Sequence, residues 1–129
     1  AAQCYLVVHQ QQQLDLLVAY QGDAQTQMMG MVLATMSLKK GKEVNMVLCS
    51  HAGNLALKDS ESPKLKPQDK SPKMMLEDLI KNGAKVEVCP LFLPNAEKTE
   101  SDLIQNVTVA KPPVVADRLL DKDYQNLSY

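Results

Sequence analysis

The chain has no tryptophan, one phenylalanine and an aromatic content of 4%, too little to build a stacking platform for bases or a sugar-binding surface. An excess of either charge is missing too. Lys plus Arg number 14 against 15 for Asp plus Glu, and no block of five or more like charges occurs, so nucleic acid is not an expected partner. Three cysteines, Cys4, Cys49 and Cys89, are too few for a disulfide framework, and their long separations match no paired-CxxC zinc pattern. The five glycines stand alone, without a GxGxxG or GxxxxGK(S/T) phosphate loop, and the GxSxG and HExxH signatures of common hydrolases are absent as well.

What is present is an ordinary globular composition. Apolar residues make up 45% and charged residues 22%, which indicates neither disorder nor a membrane span. A length of 129 residues predicts one domain, residues 1–129, able to bury a core without staples. The chain begins Ala-Ala-Gln without Met, which is compatible with a removed signal peptide, so cytoplasm and periplasm both stay open.

Along the chain, Leu14 to Tyr20 reads as a buried strand closed by the turn Gln21-Gly22-Asp23. Asp23 then caps a helix over 24–40, with Met28, Met29, Val32, Leu33 and Met36 as its apolar stripe and Lys39-Lys40-Gly41 as its stop. Glu43 to Cys49 is a second strand. A short helical piece is expected around Leu55 to Lys58, and the polar, Pro-interrupted stretch 59–68 is expected to be a surface loop or lid. Ser71 and Pro72 open a helix with the face Met75, Leu76, Leu79 and Ile80, and Gly83 ends it. Ala84 to Cys89 follows as a strand with Val86 and Val88 on one face and Lys85 and Glu87 on the other. A loop containing Pro90 and Pro94, a turn near Ser101 to Ile104, a strand Val107 to Ala110, a helix entered at Pro112-Pro113 and a strand toward Leu127 complete the chain. Gln3 to Val8 is a candidate extra strand, while the glutamine run Gln10 to Gln13 fits no period. Strands alternating with helices predict an α/β fold with a mostly parallel sheet.

Cys89 falls at the carboxyl end of a strand, where parallel sheets place ligands and reacting groups. A thiol there gains nucleophilicity if a helix N-terminus or a cation lowers its pKa. Cys49 holds the matching place on an earlier strand, with His51 two residues on, a pairing that can activate a thiol. If the two strands are neighbours, the cysteines come close enough to exchange a disulfide. The ordinary reading of each is a small buried apolar side chain. His9 and His51 with the thiols lack metal-site spacing, and Met28, Met29, Met36, Met74 and Met75 read as core or interface.

Three segments, VNMVLCSHAGNLAL (44–57), PKMMLEDLIKNGAKVEVCP (72–90) and NVTVAKPPVVADRLL (106–120), resemble the DsrE/DsrF-like sulfur-relay family of small α/β proteins. The resemblance implies a three-layer α/β/α sandwich with a mostly parallel sheet of about five strands. It implies a sulfurtransferase-type sulfur carrier without a cofactor, in which Cys89 is the persulfide-bearing residue and Cys49 and His51 are its candidate neighbours. It also implies sulfur donor and acceptor proteins as partners, and a homo-oligomer, trimer or hexamer, with no nucleic acid and no membrane. Relay members continue from the cysteine into small residues and a helix. Here Pro90-Leu91-Phe92-Leu93-Pro94 follows, an apolar loop able to cover the thiol. The alternative is therefore a non-catalytic oligomeric binding protein with Cys89 packed. A soft-metal binder using Cys and His is a third reading. Accessibility of Cys89 discriminates the first two.

Overall fold

A computed structural model of the chain describes residues 4–5, 14–19 and 23–128. Its strands are β1 (Cys4–Tyr5), β2 (Leu14–Ala19), β3 (Glu43–Leu48), β4 (Lys85–Val88), β5 (Val107–Val109) and β6 (Gln125–Ser128). They form a six-stranded sheet in the order β1-β6-β2-β3-β4-β5. Strands β2 to β6 run parallel, and β1 alone runs antiparallel to its neighbours. This is the mostly parallel sheet expected, with the two-residue β1 as an additional strand. The rest of the proposed Gln3–Val8 strand, His9, the Gln10–Gln13 run and the Gln21-Gly22 turn lie outside the described residues.

The helices are α1 (Ala24–Lys39), α2 (Ser50–Gly53), α3 (Pro72–Lys81), α4 (Phe92–Asn95) and α5 (Pro112–Leu120). Their ends follow local chemistry. The Asp23 carboxylate accepts the Thr26 N–H at 3.0 Å, Ser71 Oγ accepts the Met74 N–H at 3.1 Å, and Pro72 opens α3 where no N–H is needed. At the end of α3, Gly83 sits at φ +100, a left-handed conformation that glycine adopts without steric cost. The chain then turns directly into β4. The short helical piece after β3 begins earlier than expected: it runs from Ser50 through α2 into a 3-10 turn, Asn54–Ala56.

Both faces of the sheet are covered, so β3 is buried at every position after Glu43, as central parallel strands are. On one face Val44, Met46, Leu48, Val86 and Val88 pack with Met31 and Ala34 of α1 and Met75, Leu76 and Leu79 of α3. The fully buried arc of α1 is Gln27, Gly30, Met31 and Ala34; of the stripe read from the sequence, Met28, Val32 and Leu33 pack at its margin against the core, while Met29 and Met36 do not. Met29 and Met36 are 49% and 46% exposed, and Met74 of α3 is exposed as well. The sequence reading followed the large apolar side chains. The small residues Gly30 and Ala34 share the inner face with Met31 and leave room for close packing.

The opposite face carries Val47 and Ala110, with Val115 and Tyr124 packed against them. Glu87 of β4 also points this way. It is 6% exposed and accepts a hydrogen bond from the Arg118 guanidinium at 2.9 Å. Arg118 is the one buried residue of α5, so this ion pair, with Val115 packed beside it against the sheet, ties that helix down.

Residues 59–68 run as irregular backbone. Their approach is anchored by Lys73 of α3, whose ammonium donates to the carbonyl oxygens of Leu57 at 2.7 Å and Ser60 at 2.8 Å.

Candidate active site

Strands β3 and β4 are neighbours with Leu48 opposite Val88. The residues that follow them are Cys49 and Cys89, and the Cys89 N–H donates to the Leu48 carbonyl at 2.9 Å. The two cysteines therefore leave the sheet side by side. Leu48 and Val88 face the large core, so strand alternation turns both cysteines toward the opposite face. There they pack against the Val47 and Ala110 cluster, and Cys89, at the sheet's end, also touches the large core cluster. Cys49 is 6% exposed; Cys89 is half-buried.

Beyond the strand ends the chain turns sharply on both sides. Ser50 takes φ 54, a left-handed conformation that costs a non-glycine residue about 1–2 kcal/mol. It starts α2 directly from the strand and brings the Ser50 N–H toward Cys89. On the other side Pro90 and Leu91 lead into α4. The Pro-flanked segment thus forms a helical turn, not the loop expected. Phe92 and Leu93 go into the core while Leu91 stays 71% exposed, and the thiol remains accessible beside them. Pro94 is tolerated because it falls within the first turn, where no intrahelical N–H bond is lost.

The resulting cavity, about 600 Å³, is lined by Cys49, Ser50 and His51 on one side and by Cys89, Leu91 and Phe92 on the other. His51 is exposed at its wall. Within it the Cys89 thiol is brought down to about 6, chiefly by a hydrogen bond from the Cys49 side chain. Burial opposes this, and the backbone N–H groups of Leu91, Phe92 and Ser50 reinforce it. The second thiol and the nearby amides thus favour the charged form of Cys89. The activation expected of a helix N-terminus comes here from a single turn and a strained corner.

Gly53 was read only as an isolated glycine. A Cβ placed on it would lie 2.6 Å from the Phe92 ring. The bare Cα lets that ring sit against α2, and the seated ring fixes the turn whose N–H groups face Cys89. Gly53→Ala is expected to lower stability by about 1–3 kcal/mol through overpacking, read from urea unfolding. An unchanged midpoint would mean that the ring moves aside freely.

Cys89, Cys49 and His51 are brought together. His9 lies outside the described residues. Among the described residues no three His, Cys, Asp or Glu side chains cluster as a metal site would require, and no helix is long and apolar enough to cross a membrane. A second groove, about 640 Å³ and lined in part by Thr35, Lys39, Lys70 and Asp78, contains no cysteine.

No protein-family profile matches the sequence, and no curated protein matches it. In three dimensions the chain is similar to the ychN protein from E. coli, solved as a crystal structure. The TM-score is 0.66 at 15% identity, over 84% of this chain and 90% of that one. The two share a fold, the DsrE-like α/β architecture that the sequence resemblance implies.

Proposed function

We propose that this protein is a sulfur carrier in which the Cys89 thiolate accepts a sulfane sulfur as a persulfide and hands it to an acceptor protein. The observation that carries the reading is a half-buried thiol at the end of a central parallel strand, beside Cys49 at the wall of a cavity, with its pKa lowered by the Cys49 side chain and nearby backbone amides. Attack on a sulfane sulfur follows the rules of thiol-disulfide exchange, in which thiolate fraction and access set the rate. Cys89 has both. The cavity leaves room for the extra sulfur.

The DsrE/DsrF-like resemblance supports the same role and a trimeric or hexameric assembly. Apolar side chains left open on α1 (Met29, Met36) and on α5 (Val114, Leu119, Leu120) are material for such contacts. His51, exposed at the cavity wall, is suited to meeting a donor or acceptor protein.

The test is intact mass after brief exposure to inorganic polysulfide, with native mass read on the same samples. One added sulfur per chain is expected in wild type and none on the carrier site in Cys89→Ser, with the adduct mapped to the Cys89 peptide. If reduced, folded wild-type protein takes up no sulfur and yields no product of sulfur transfer, the carrier reading fails and an oligomeric binding protein remains. A native monomer would remove the assembly.

A further inference from the structure

Cys49 lines the cavity but is only 6% exposed, against the half-buried Cys89, so it is the less reachable of the two thiols for sulfur from outside. The sulfur within its reach is the Sγ of Cys89. The register sets their backbones side by side on adjacent parallel strands, which lie about 4.7–4.9 Å apart. That spacing falls inside the Cα separation of about 4.4–6.8 Å that a disulfide spans. Both side chains leave the same face of the sheet and share one apolar cluster. Two thiols so placed, one reachable and one covered, have the arrangement of an attacking and a resolving pair.

We propose that Cys49 is a resolving cysteine that discharges the Cys89 persulfide as hydrogen sulfide and closes a Cys49–Cys89 disulfide. The inference rests on the carrier reading of Cys89 and adds a second fate for the bound sulfur. Cys49 Sγ meets the inner sulfur, Cys89 Sγ, while the outer sulfur projects into the cavity. Attack on the inner sulfur forms the Cys49–Cys89 S–S bond and breaks the bond from Cys89 Sγ to the outer sulfur. The outer sulfur departs with the bonding pair and takes the Cys49 proton as well as its own. The two thiols are oxidised to a disulfide and the sulfane sulfur is reduced to sulfide, so atoms and electrons balance. An external dithiol then reopens the bridge by exchange and leaves as its own disulfide. With an acceptor protein docked the sulfur is passed on; without one it is released reductively.

The hydrogen bond between the thiols complicates any substitution at Cys49, since it also supports the Cys89 thiolate. Cys49→Ser retains a hydroxyl donor and removes the resolving sulfur, and Cys49→Ala removes both. Wild type and both variants are loaded with inorganic polysulfide, desalted without reductant, and followed by intact mass and methylene-blue assay of hydrogen sulfide. Wild type is expected to release one hydrogen sulfide per chain and to end two hydrogens lighter than the reduced protein. Peptide mapping should join Cys49 to Cys89, and dithiothreitol should restore the reduced mass. Cys49→Ser is expected to keep its added sulfur and to release hydrogen sulfide at least about tenfold more slowly, with Cys49→Ala also failing to form the bridge. If wild type and Cys49→Ser hold the added sulfur equally long, Cys49 does not resolve the persulfide and the carrier reading stands. A bridge joining Cys4 instead would likewise overturn the assignment. If neither protein gains sulfur and wild type does not become lighter, both readings fall.

Discussion

Arg118→Met is expected to destabilise the protein by about 3–5 kcal/mol, the usual consequence of leaving one member of a buried ion pair behind. Both side chains are nearly covered, at 9% for Arg118 and 8% for Glu87, and the contact is short at 2.9 Å. The pair itself need not add much to stability, because removing two charges from water costs about what their attraction returns. Breaking it is different. Glu87 would remain under α5 with its carboxylate facing Val47 and Ala110 and no cation beside it. With a urea dependence of about 1–3 kcal/mol per molar, the unfolding midpoint should fall by roughly 2 M. Because Arg118 is the one buried residue of α5, the amides of that helix should also exchange faster with deuterium. Replacing both partners, Glu87→Leu with Arg118→Met, should recover most of the loss, since apolar side chains of similar volume can substitute for a buried pair. A loss below about 1 kcal/mol in Arg118→Met alone would show that water reaches the pair.

That ion pair also marks a limit of what the sequence made legible. The order of strands and helices was readable because the signals are local: Asp23 and Ser71 cap helices, Pro72 opens one, and Gly83 closes it. The parallel sheet followed from the alternation, and Cys49 and Cys89 were placed at strand ends by where the apolar runs stop. What was not legible depends on partners distant in the chain. Glu87 could be placed opposite Val86 and Val88, but its partner could not, because nothing nearby announces Arg118, 31 residues later. The inner face of α1 was misjudged because Gly30 and Ala34 carry little hydrophobic signal, yet their size sets how closely the helix packs. The turn α4 was hidden by Pro90 and Pro94, which read as loop punctuation. Its N–H groups, with that of left-handed Ser50, are what a sequence reading of Cys89 lacked. The one available hint was the pairing of Gly53 with the sole phenylalanine, Phe92, and only the fold brings these together.

The pH dependence of Cys89 alkylation should have its midpoint at about 6, against about 8.5 for an ordinary thiol. At pH 6 half of Cys89 would be thiolate, whereas an unperturbed cysteine would be so to less than about one part in a hundred. The rate advantage is smaller than that ratio, because a less basic thiolate is also a weaker nucleophile, with a Brønsted coefficient of about 0.4–0.5. The two effects leave Cys89 roughly tenfold faster than a free thiol toward iodoacetamide at pH 6. Above about pH 7.5 the advantage should invert, since enough of the ordinary thiol is then ionised for its more basic, more nucleophilic thiolate to react faster. Cys49→Ala should move the midpoint upward by removing the principal donor. It should still fall short of the ordinary value, because the backbone N–H groups of Leu91 and Ser50 continue to favour the charged thiol. Cys49→Ser should lie between wild type and Cys49→Ala. The same ionisation links to stability with a definite sign: a thiol depressed in the folded state contributes fully above about pH 8.5 and loses that contribution as pH falls through about 6. Wild type should therefore lose more stability than Cys49→Ala between those values. Peptide-resolved alkylation from pH 5 to pH 9 would read the midpoint directly, and a wild-type midpoint near 8.5 would mean that the second thiol and the amides do not hold the charge.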